Sequence, residues 1–140
     1  MGVRDWTTMA LKQSIDNPNY GCAGAGPSVI SLAWDALPVT SPSTVVRVLY
    51  VVSDVGGEHQ LRRVECQAPD GVASGPVVKP DVVLVHNLSL TGSPPTRACL
   101  NPTLCTGTSV PQRVSLTMTI RDPANTTDIV LVLNGQRGQT

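Results

Sequence analysis

Apolar residues in this chain recur in two patterns, and each pattern predicts a different kind of β-strand. The segment from Arg113 to Arg121 alternates strictly between apolar and polar residues. Its apolar residues, which all share one side, are Val114, Leu116, Met118 and Ile120. Such alternation is typical of a strand with one face in the core and the other in water or against a neighbour. Further strands are predicted at 28–35, 81–90 and 128–134.

Residues 44–66 predict a β-hairpin around which the rest of the sheet is organised. The run from Val45 to Val52 is too densely apolar for a strand with one exposed face, which predicts a central strand covered on both sides. The turn is predicted at 53–57, where Gly56 and Gly57 can adopt positive φ without steric cost. The return strand, Glu58 to Cys66, alternates and therefore has one more polar face.

Residues Val3 to Asp16 predict an amphipathic helix that opens the chain. At 100° per residue, the polar residues gather on one stripe and the apolar residues spread over a wide arc. That arc consists of Val3, Trp6, Ala10 and Leu11, with Ile15 at its edge. The helix is expected to end by Asn17, because a proline at the next position disfavours the α conformation. An arc this wide is able to cover the domain's own sheet and leave surface for a partner; packing within the domain alone is the alternative.

The length of the chain and the order of the predicted elements indicate a single globular domain over residues 1–140. Residues 1–16 form its helix and residues 28–134 form its β-sheet region. The connections between strands contain too little helix for parallel crossovers, which predicts a mostly antiparallel sheet. The expected fold class is therefore α+β, with the N-terminal helix packed on one face of the sheet, and a β-sandwich is the alternative.

Charge gives little support to a nucleic-acid or membrane-surface protein. Ten basic residues balance ten acidic residues, and a chain without net charge has no global field to collect polyanions. Arg47, Arg62 and Arg63 lie on adjacent predicted strands and are able to form a basic patch beside the rings of Trp34 and Tyr50. Such a patch would suit DNA. Solvated strand faces explain the same arginines, so DNA binding stays an unsupported alternative.

The chain contains four cysteines and no CxxC pair; they are Cys22, Cys66, Cys99 and Cys105. Zinc sites ordinarily include ligands separated by roughly two to four residues, so zinc is not expected here. Two disulfides are expected instead, which places the folded chain in an oxidising compartment outside the cytosol. A Cys99–Cys105 bridge would close the proline-rich loop between them and leave Cys22 to pair with Cys66. The sequence itself leaves this pairing open.

The residues show no catalytic pattern, so no enzyme activity, cofactor or small-molecule substrate is expected. There is no GxSxG elbow, the carboxylates are scattered, and the glycine-rich stretch after Tyr20 lacks the lysine of a phosphate loop. Asp122, Asn125 and Asp128 offer oxygen ligands at a spacing that suits calcium, although such side chains more commonly cap a turn. His86, in a densely apolar strand, is expected to be a hydrogen-bonded structural residue.

The order of these features resembles the globular part of bacterial type IV pilin-like proteins, of the minor pilin or J-type pseudopilin kind. The opening segment DWTTMALKQSI is similar to the pilin helix, and GPSVISLAWD is similar to the first strand. The hairpin VVRVLYVVSDVGGEHQLRRVEC has a recurrent arrangement of that group: an apolar strand with tyrosine, a glycine turn, then Leu-Arg-Arg-x-x-Cys. The strand VVLVHNLS and the closing pair RVSLTMTIRD and DIVLVLNGQRGQT extend the resemblance over most of the chain.

This resemblance implies a protein that assembles and does not catalyse. Proteins of this kind are inserted into the membrane by an N-terminal apolar helix, processed by a prepilin peptidase, and packed helix to helix into a filament. It implies an anchoring segment upstream of Val3, a location in the cell envelope or at the cell surface, and other pilin subunits as partners of the residue 3–15 helix. The expected function is assembly, priming or surface presentation in a type IV filament or type II secretion-like system. A secreted carbohydrate-binding or adhesion module is the alternative.

Overall fold

The structure, a computed structural model, describes residues 13–16, 18–36, 40, 42–90, 94–101, 103–105, 111–121, 124 and 128–136. Within these residues all regular structure is β-strand. The strands are β1 (Gln13–Ile15), β2 (Gly21–Cys22), β3 (Ser28–Asp35), β4 (Thr44–Val55), β5 (Glu58–Pro69), β6 (Ser74–Gly75), β7 (Val82–Val85), β8 (Leu88–Ser89), β9 (Thr96–Leu100), β10 (Arg113–Arg121) and β11 (Asp128–Gln136).

The strands form two antiparallel sheets that pack face to face, with a small third sheet on one side. Sheet 1 has the strand order β1-β3-β4-β5-β7. Sheet 2 has the order β11-β10-β8, and β9 also pairs with β10. The small sheet joins β2 and β6 in parallel. Two stacked antiparallel sheets around a shared core constitute a β-sandwich, so the alternative fold prediction is confirmed.

The expected helix packed on a sheet is wrong over the residues that the structure describes. Gln13 to Ile15 form strand β1, which pairs antiparallel with β3 from Trp34 to Leu32. Asp16 then ends the strand with a φ of 52° and accepts a hydrogen bond from the amide of Ser31 (2.8 Å). Pairing with β3 thus overrides the helical pattern, and the rest of the predicted helix, residues 3–12, lies outside the described part of the chain.

The core between the two sheets is formed by buried side chains from both of them. These are Ile30, Leu61, Val85, Leu88, Leu116 and Met118. A second buried cluster lies on the opposite face of sheet 1, beneath the small sheet, and contains Cys22, Leu49, Val51, Val64 and Cys66. Strand β4 contributes Leu49 and Val51 to the second cluster, and its Tyr50 and Val52 pack against the first, which confirms the prediction of a central strand covered on both sides.

The central hairpin has the predicted glycine turn and longer strands than expected. β4 and β5 pair without interruption from Thr44–Pro69 to Val55–Glu58. Gly56 and Gly57 have φ values of 61° and 83°. Positive φ at both central residues is characteristic of a type I′ turn, whose twist matches that of the adjoining strands. The Asp54 carboxylate also accepts a hydrogen bond from the amide of Gly57 (3.1 Å).

The segment predicted as one strand at 81–90 divides into two short strands that belong to different sheets. β7 pairs with β5 in sheet 1, and β8 pairs with β10 in sheet 2. Between them Asn87 has a φ of 56°, in the left-handed region that asparagine tolerates better than most residues. This residue turns the chain from one layer of the sandwich to the other, so the prediction of a continuous strand is wrong.

Both expected disulfides are present. Cys22 pairs with Cys66, at a sequence separation of 44, and ties the small sheet to strand β5. Cys99 pairs with Cys105, at a separation of 6, and closes the loop after β9. No cysteine is left free. Disulfides persist in oxidising compartments, so the folded chain is suited to an extracytoplasmic location.

Candidate interaction surface

Strand β11 forms an open edge of sheet 2. Among the described strands it pairs only with β10, in a continuous register from Arg121–Asp128 to Arg113–Gln136. Its other side therefore presents backbone N–H and C=O groups to no described strand. A strand edge that no described strand covers is a template for the addition of a further strand.

The side chains of β11 are unusually apolar for an exposed edge. Ile129 is 55% exposed, Val130 65% and Val132 48%, while Leu131 and Leu133 pack against the core between the sheets. The one charged residue of the strand is Asp128, which accepts a hydrogen bond from Nε of Arg121 (3.1 Å). This hydrogen bond raises the pKa of Arg121. The edge thus lacks the lysines, prolines and inward charges that ordinarily prevent strand addition.

A cleft of about 210 Å³ opens between the two sheets beside β11. Its walls are formed by Ile30, Leu32, Tyr50, Leu84, Val114, Leu116 and Leu133, and its polar boundary by Arg63, Asn134 and Gly135. The register places Ile30, Tyr50 and Arg63 in one row across sheet 1. The cleft is an opening in the sandwich interior that the side chains lining it do not fill.

Gly135 contributes to this opening, and neither backbone conformation nor crowding explains why a glycine is present. It is absent from the residues with positive φ. A Cβ atom built on it would lie in ordinary contact with the carbonyl oxygen of Val114, at 3.9 Å. A glycine inside a strand often marks a place where another molecule or backbone approaches closely.

The second candidate site, the predicted basic patch of Arg47, Arg62 and Arg63, does not exist as a surface. Arg47 is completely buried beneath the small sheet. Arg62 and Arg63 are consecutive in β5, so their side chains point to opposite faces of sheet 1. Arg62 lies 3.9 Å from Asp81, and Arg63 lies 3.2 Å from Glu65. The prediction of a basic patch is wrong because Arg47 is buried and because Arg62 and Arg63 lie on opposite faces of the sheet.

Arg47 instead binds three backbone carbonyls, from β2, from the end of β5 and from the loop after it, at the outer face of sheet 1. Its guanidinium donates hydrogen bonds to the carbonyl oxygens of Gly21 (3.0 Å), Pro69 (3.4 Å) and Val72. Burial lowers the pKa of Arg47, while the nearby Tyr20 and Asp70 oppose that change. Sequence reasoning missed this role, although the position of Arg47 within an apolar run, in step with buried Leu49 and Val51, was a usable signal.

A hydrogen-bonded group of side chains stabilises the crossing between the sheets. One oxygen of Glu58 lies 2.8 Å from Nδ1 of His86 and accepts a hydrogen bond from the amide of Asn87 (3.1 Å). Desolvation raises the pKa of Glu58, but the hydrogen bonds from His86, Asn87 and Gln60 outweigh it, and the net result is a lowered pKa. His86 is thus the hydrogen-bonded structural residue that the sequence predicted.

A wider depression of about 520 Å³ lies near the end of β1. Asp16 and Arg97 line it, together with Tyr20, Pro27 and Leu49. Asp16 and Arg97 form an ion pair with each other, so neither charge is left for a ligand.

The remaining predicted site residues are only partly within the described chain. Val3, Trp6, Ala10 and Leu11 lie outside it, and Ile15 packs against the core from strand β1. Asp122 and Asn125 of the calcium hypothesis also lie outside it. The described residues contain no group of three or more His, Cys, Asp or Glu side chains that could hold a metal ion. They also contain no helix of the length and hydropathy needed to cross a membrane.

Among the described residues, the apolar edge of β11 and the cleft beside it form a candidate contact surface. Comparison with known proteins finds no matching family model, no matching curated protein and no matching solved structure.

Proposed function

We propose that this chain is an extracytoplasmic, non-catalytic subunit that works by contact with other protein subunits, as a minor pilin or pseudopilin does in a filament or secretion assembly. The observation that supports this proposal is the exposed apolar edge strand β11 in a domain with two disulfides. Burial of such an edge against a neighbour would combine main-chain hydrogen bonds with the removal of apolar surface from water.

The chemistry of the other polar groups agrees with a structural role. The buried Arg47 bonds to backbone carbonyls, Glu58 bonds to His86 and Asn87, and Glu65 lies between Arg63 and Lys79. The bonds of Arg47, the bonds of Glu58 and the Glu65–Lys79 pair each join two segments of the fold. None of them places a nucleophile beside a base in an accessible pocket, which is the arrangement that nucleophilic catalysis requires.

Within the described residues, the strands carry the resemblance to pilin-like proteins. Its hairpin corresponds to β4 and β5, and its closing pair corresponds to β10 and β11. Residues Gln13–Ile15 form strand β1 and not part of a helix, so sheet 2 makes the contact with other subunits in the proposed assembly.

A secreted adhesion or carbohydrate-binding module is the second candidate, and the cleft between the sheets favours it. Tyr50 supplies a ring, and Arg63 and Asn134 supply polar groups at the boundary of the cleft. Sugars bind against aromatic faces with a few placed hydrogen bonds. This candidate predicts that a Tyr50→Ala variant loses binding to an immobilised glycan that the unmodified protein retains.

The proposed function is tested in the organism that encodes the chain. The epitope-tagged gene product is expressed from its own locus, surface appendages are sheared from the cells, and the sheared, cell-bound and medium fractions are immunoblotted. We expect the protein in the sheared or envelope fraction. A Val130→Lys/Val132→Lys variant, with charges on the exposed face of β11, should leave that fraction, whereas Val55→Lys, at an exposed hairpin position, should stay in it.

Recovery of both variants and the unmodified protein in the medium, as free monomers, would overturn the assembly role and favour the adhesion module. A glycan array screened with the same purified protein then decides whether the second candidate holds. Circular dichroism of each variant shows whether the β-structure is retained, so that loss of folding is not mistaken for loss of assembly.

A further inference from the structure

We propose that two copies of this chain join through their β11 strands, antiparallel, about a two-fold axis that passes beside Val132. β11 pairs with β10 alone among the described strands, so its other edge suits a strand as its occupant, because only an extended backbone can pair with a row of strand N–H and C=O groups. The sequence of β11 favours a second copy of itself as that strand. This inference does not depend on which assembly the protein belongs to.

The proposed register follows from the position of the axis. In an antiparallel pair centred on Val132, that residue faces its own copy in the partner. Leu131 then faces Leu133, Ile129 faces Gly135, and Asp128 faces Gln136. Residues that face each other across antiparallel strands project their side chains to the same side of the sheet.

The pairing of Ile129 with Gly135 gives the register its shape complementarity. Ile129 is 55% exposed although it lies on the same side of β11 as Leu131 and Leu133, which pack against the core. Gly135 lies on that side too, has no side chain, and borders the cleft between the sheets. The Ile129 side chain of one copy would therefore cover the opening at Gly135 of the other, once at each end of the shared ladder.

Charge favours the same arrangement. Asp128 is the one charged residue of β11, and the antiparallel register places it opposite the neutral Gln136. A parallel, in-register pair would place the two Asp128 carboxylates beside each other, which is destabilising. The antiparallel register also leaves the Arg121–Asp128 hydrogen bond within each copy undisturbed, because Arg121 approaches from β10.

The first test uses single cysteines in the oxidised, full-length chain, whose four native cysteines are already paired. In a Val132→Cys variant the two new thiols would face each other, with Cα atoms about 4.5 to 5.5 Å apart, within the range that a disulfide spans. In the control, Val130→Cys, each new thiol faces Asn134 of the other copy. The two new thiols are then separated by four residues along the strands, about 13 Å. Positions 130 and 132 lie on the same exposed face of β11, so the two thiols are similarly accessible.

Under mild oxidation we expect Val132→Cys to form a covalent dimer with at least tenfold higher yield than Val130→Cys. Peptide mapping confirms that the native disulfides are intact and that the new bond joins the two residues at position 132. Equal yields from both variants, or a higher yield from Val130→Cys, would overturn the proposed register.

The second test measures dimerisation without cross-linking, by sedimentation equilibrium. Val132→Lys should weaken the dimer about tenfold or more, since two ammonium groups would meet on the axis. Ile129→Ala and Gly135→Val should each weaken it, and the Ile129→Ala/Gly135→Val double variant should recover part of the loss made by Gly135→Val. Thermal unfolding of each variant reports on the fold itself.

A chain that stays monomeric at every concentration measured, with no cross-link at position 132, overturns the proposal. A monomeric chain would not overturn the proposed function, because β11 would then pair with a strand of a different protein in the assembly. The shearing experiment tests that function separately. Dimerisation that Val132→Lys does not weaken would also overturn the proposed β11 dimer, since the contact must then lie elsewhere on the surface.

Discussion

The guanidinium carbon of Arg47 lies 5.3 Å from the centre of the Tyr20 ring, and the hydroxyl of Tyr20 donates a hydrogen bond to Asp70 (2.9 Å). Burial and the contact with Asp70 raise the pKa of Tyr20 to about 12, so the phenol stays protonated at neutral pH. Three residues from distant parts of the chain thereby attach the segments around the small sheet to strand β4. This attachment lies beside the Cys22–Cys66 disulfide, whose sulfur atoms belong to the same buried face.

Replacement of Arg47 by methionine should lower the free energy of unfolding by about 3 kcal/mol. Methionine replaces the apolar stem of arginine but not its guanidinium, so the carbonyl oxygens of Gly21, Pro69 and Val72 would each lose a buried donor, and buried acceptors without a partner are costly. Urea denaturation followed by tryptophan fluorescence measures the change.

The matched control for this experiment is Arg62→Met in the neighbouring strand. Arg62 is partly exposed and lies 3.9 Å from Asp81, a distance at which a surface ion pair contributes at most about 1 kcal/mol. We expect the control to cost less than a third of the Arg47 change. Equal losses in the two variants would show that the bonds from Arg47 to the three backbone carbonyls do not stabilise the fold.

The two disulfides should differ in their contributions to stability. The Cys22–Cys66 bridge spans 44 positions and the Cys99–Cys105 bridge spans 6. Loop entropy then predicts that removal of the first, by Cys22→Ala/Cys66→Ala, costs about 4 kcal/mol, and removal of the second, by Cys99→Ala/Cys105→Ala, about 2 kcal/mol. Guanidinium chloride denaturation of the two double variants provides the comparison. The same order is expected from packing, because Cys66 is fully buried, so the reverse order would contradict both arguments.

Acid should weaken the fold partly through Glu65. A hydrogen bond from Lys79 (2.8 Å) is the main cause that lowers the pKa of Glu65; desolvation opposes it, and a hydrogen bond from Arg63 adds to it. A carboxylate with a lowered folded-state pKa stabilises the fold above its unfolded pKa of about 4.3, and this contribution is lost as the pH falls through the lower folded value.

A Glu65→Gln variant should therefore be less stable than the unmodified protein at pH 7, by about 1 kcal/mol, because Lys79 is largely exposed. The difference should shrink as the pH falls below about 4. Denaturation curves of both proteins between neutral and acid pH measure it, and a difference that is constant with pH would contradict the role assigned to Glu65.

The strands that could be predicted from the sequence are those whose alternation or apolar density is sustained. β3 and β10 have the predicted bounds, Ser28–Asp35 and Arg113–Arg121, and β4 has the predicted cover on both faces. The glycine turn and both disulfides were also accessible, because positive φ and cysteine count are local or compositional properties.

The features that could not be predicted from the sequence depend on contacts between distant segments of the chain. Strand β1 is only three residues long and exists through its pairing with β3, which no periodicity within 3–16 records. Arg47 was assigned to the surface because arginine is ordinarily exposed, and only the folded topology brings three carbonyl oxygens to it. Strand β11 was predicted, but its place at the edge of sheet 2 follows from strand order alone.

The turn of the central hairpin provides the last prediction. Gly56 has a φ of 61°, and a Cβ built on it would meet no atom within 4 Å, so the cost of a side chain there is conformational and not steric. Gly56→Ala should lower the free energy of unfolding by about 1 kcal/mol, because an L-residue with a Cβ atom is strained in the left-handed region. Gly56→Asn should cost much less, since asparagine enters that region readily. Urea denaturation of the two variants measures the difference, and equal losses from alanine and asparagine would show that backbone conformation does not determine the residue at this position.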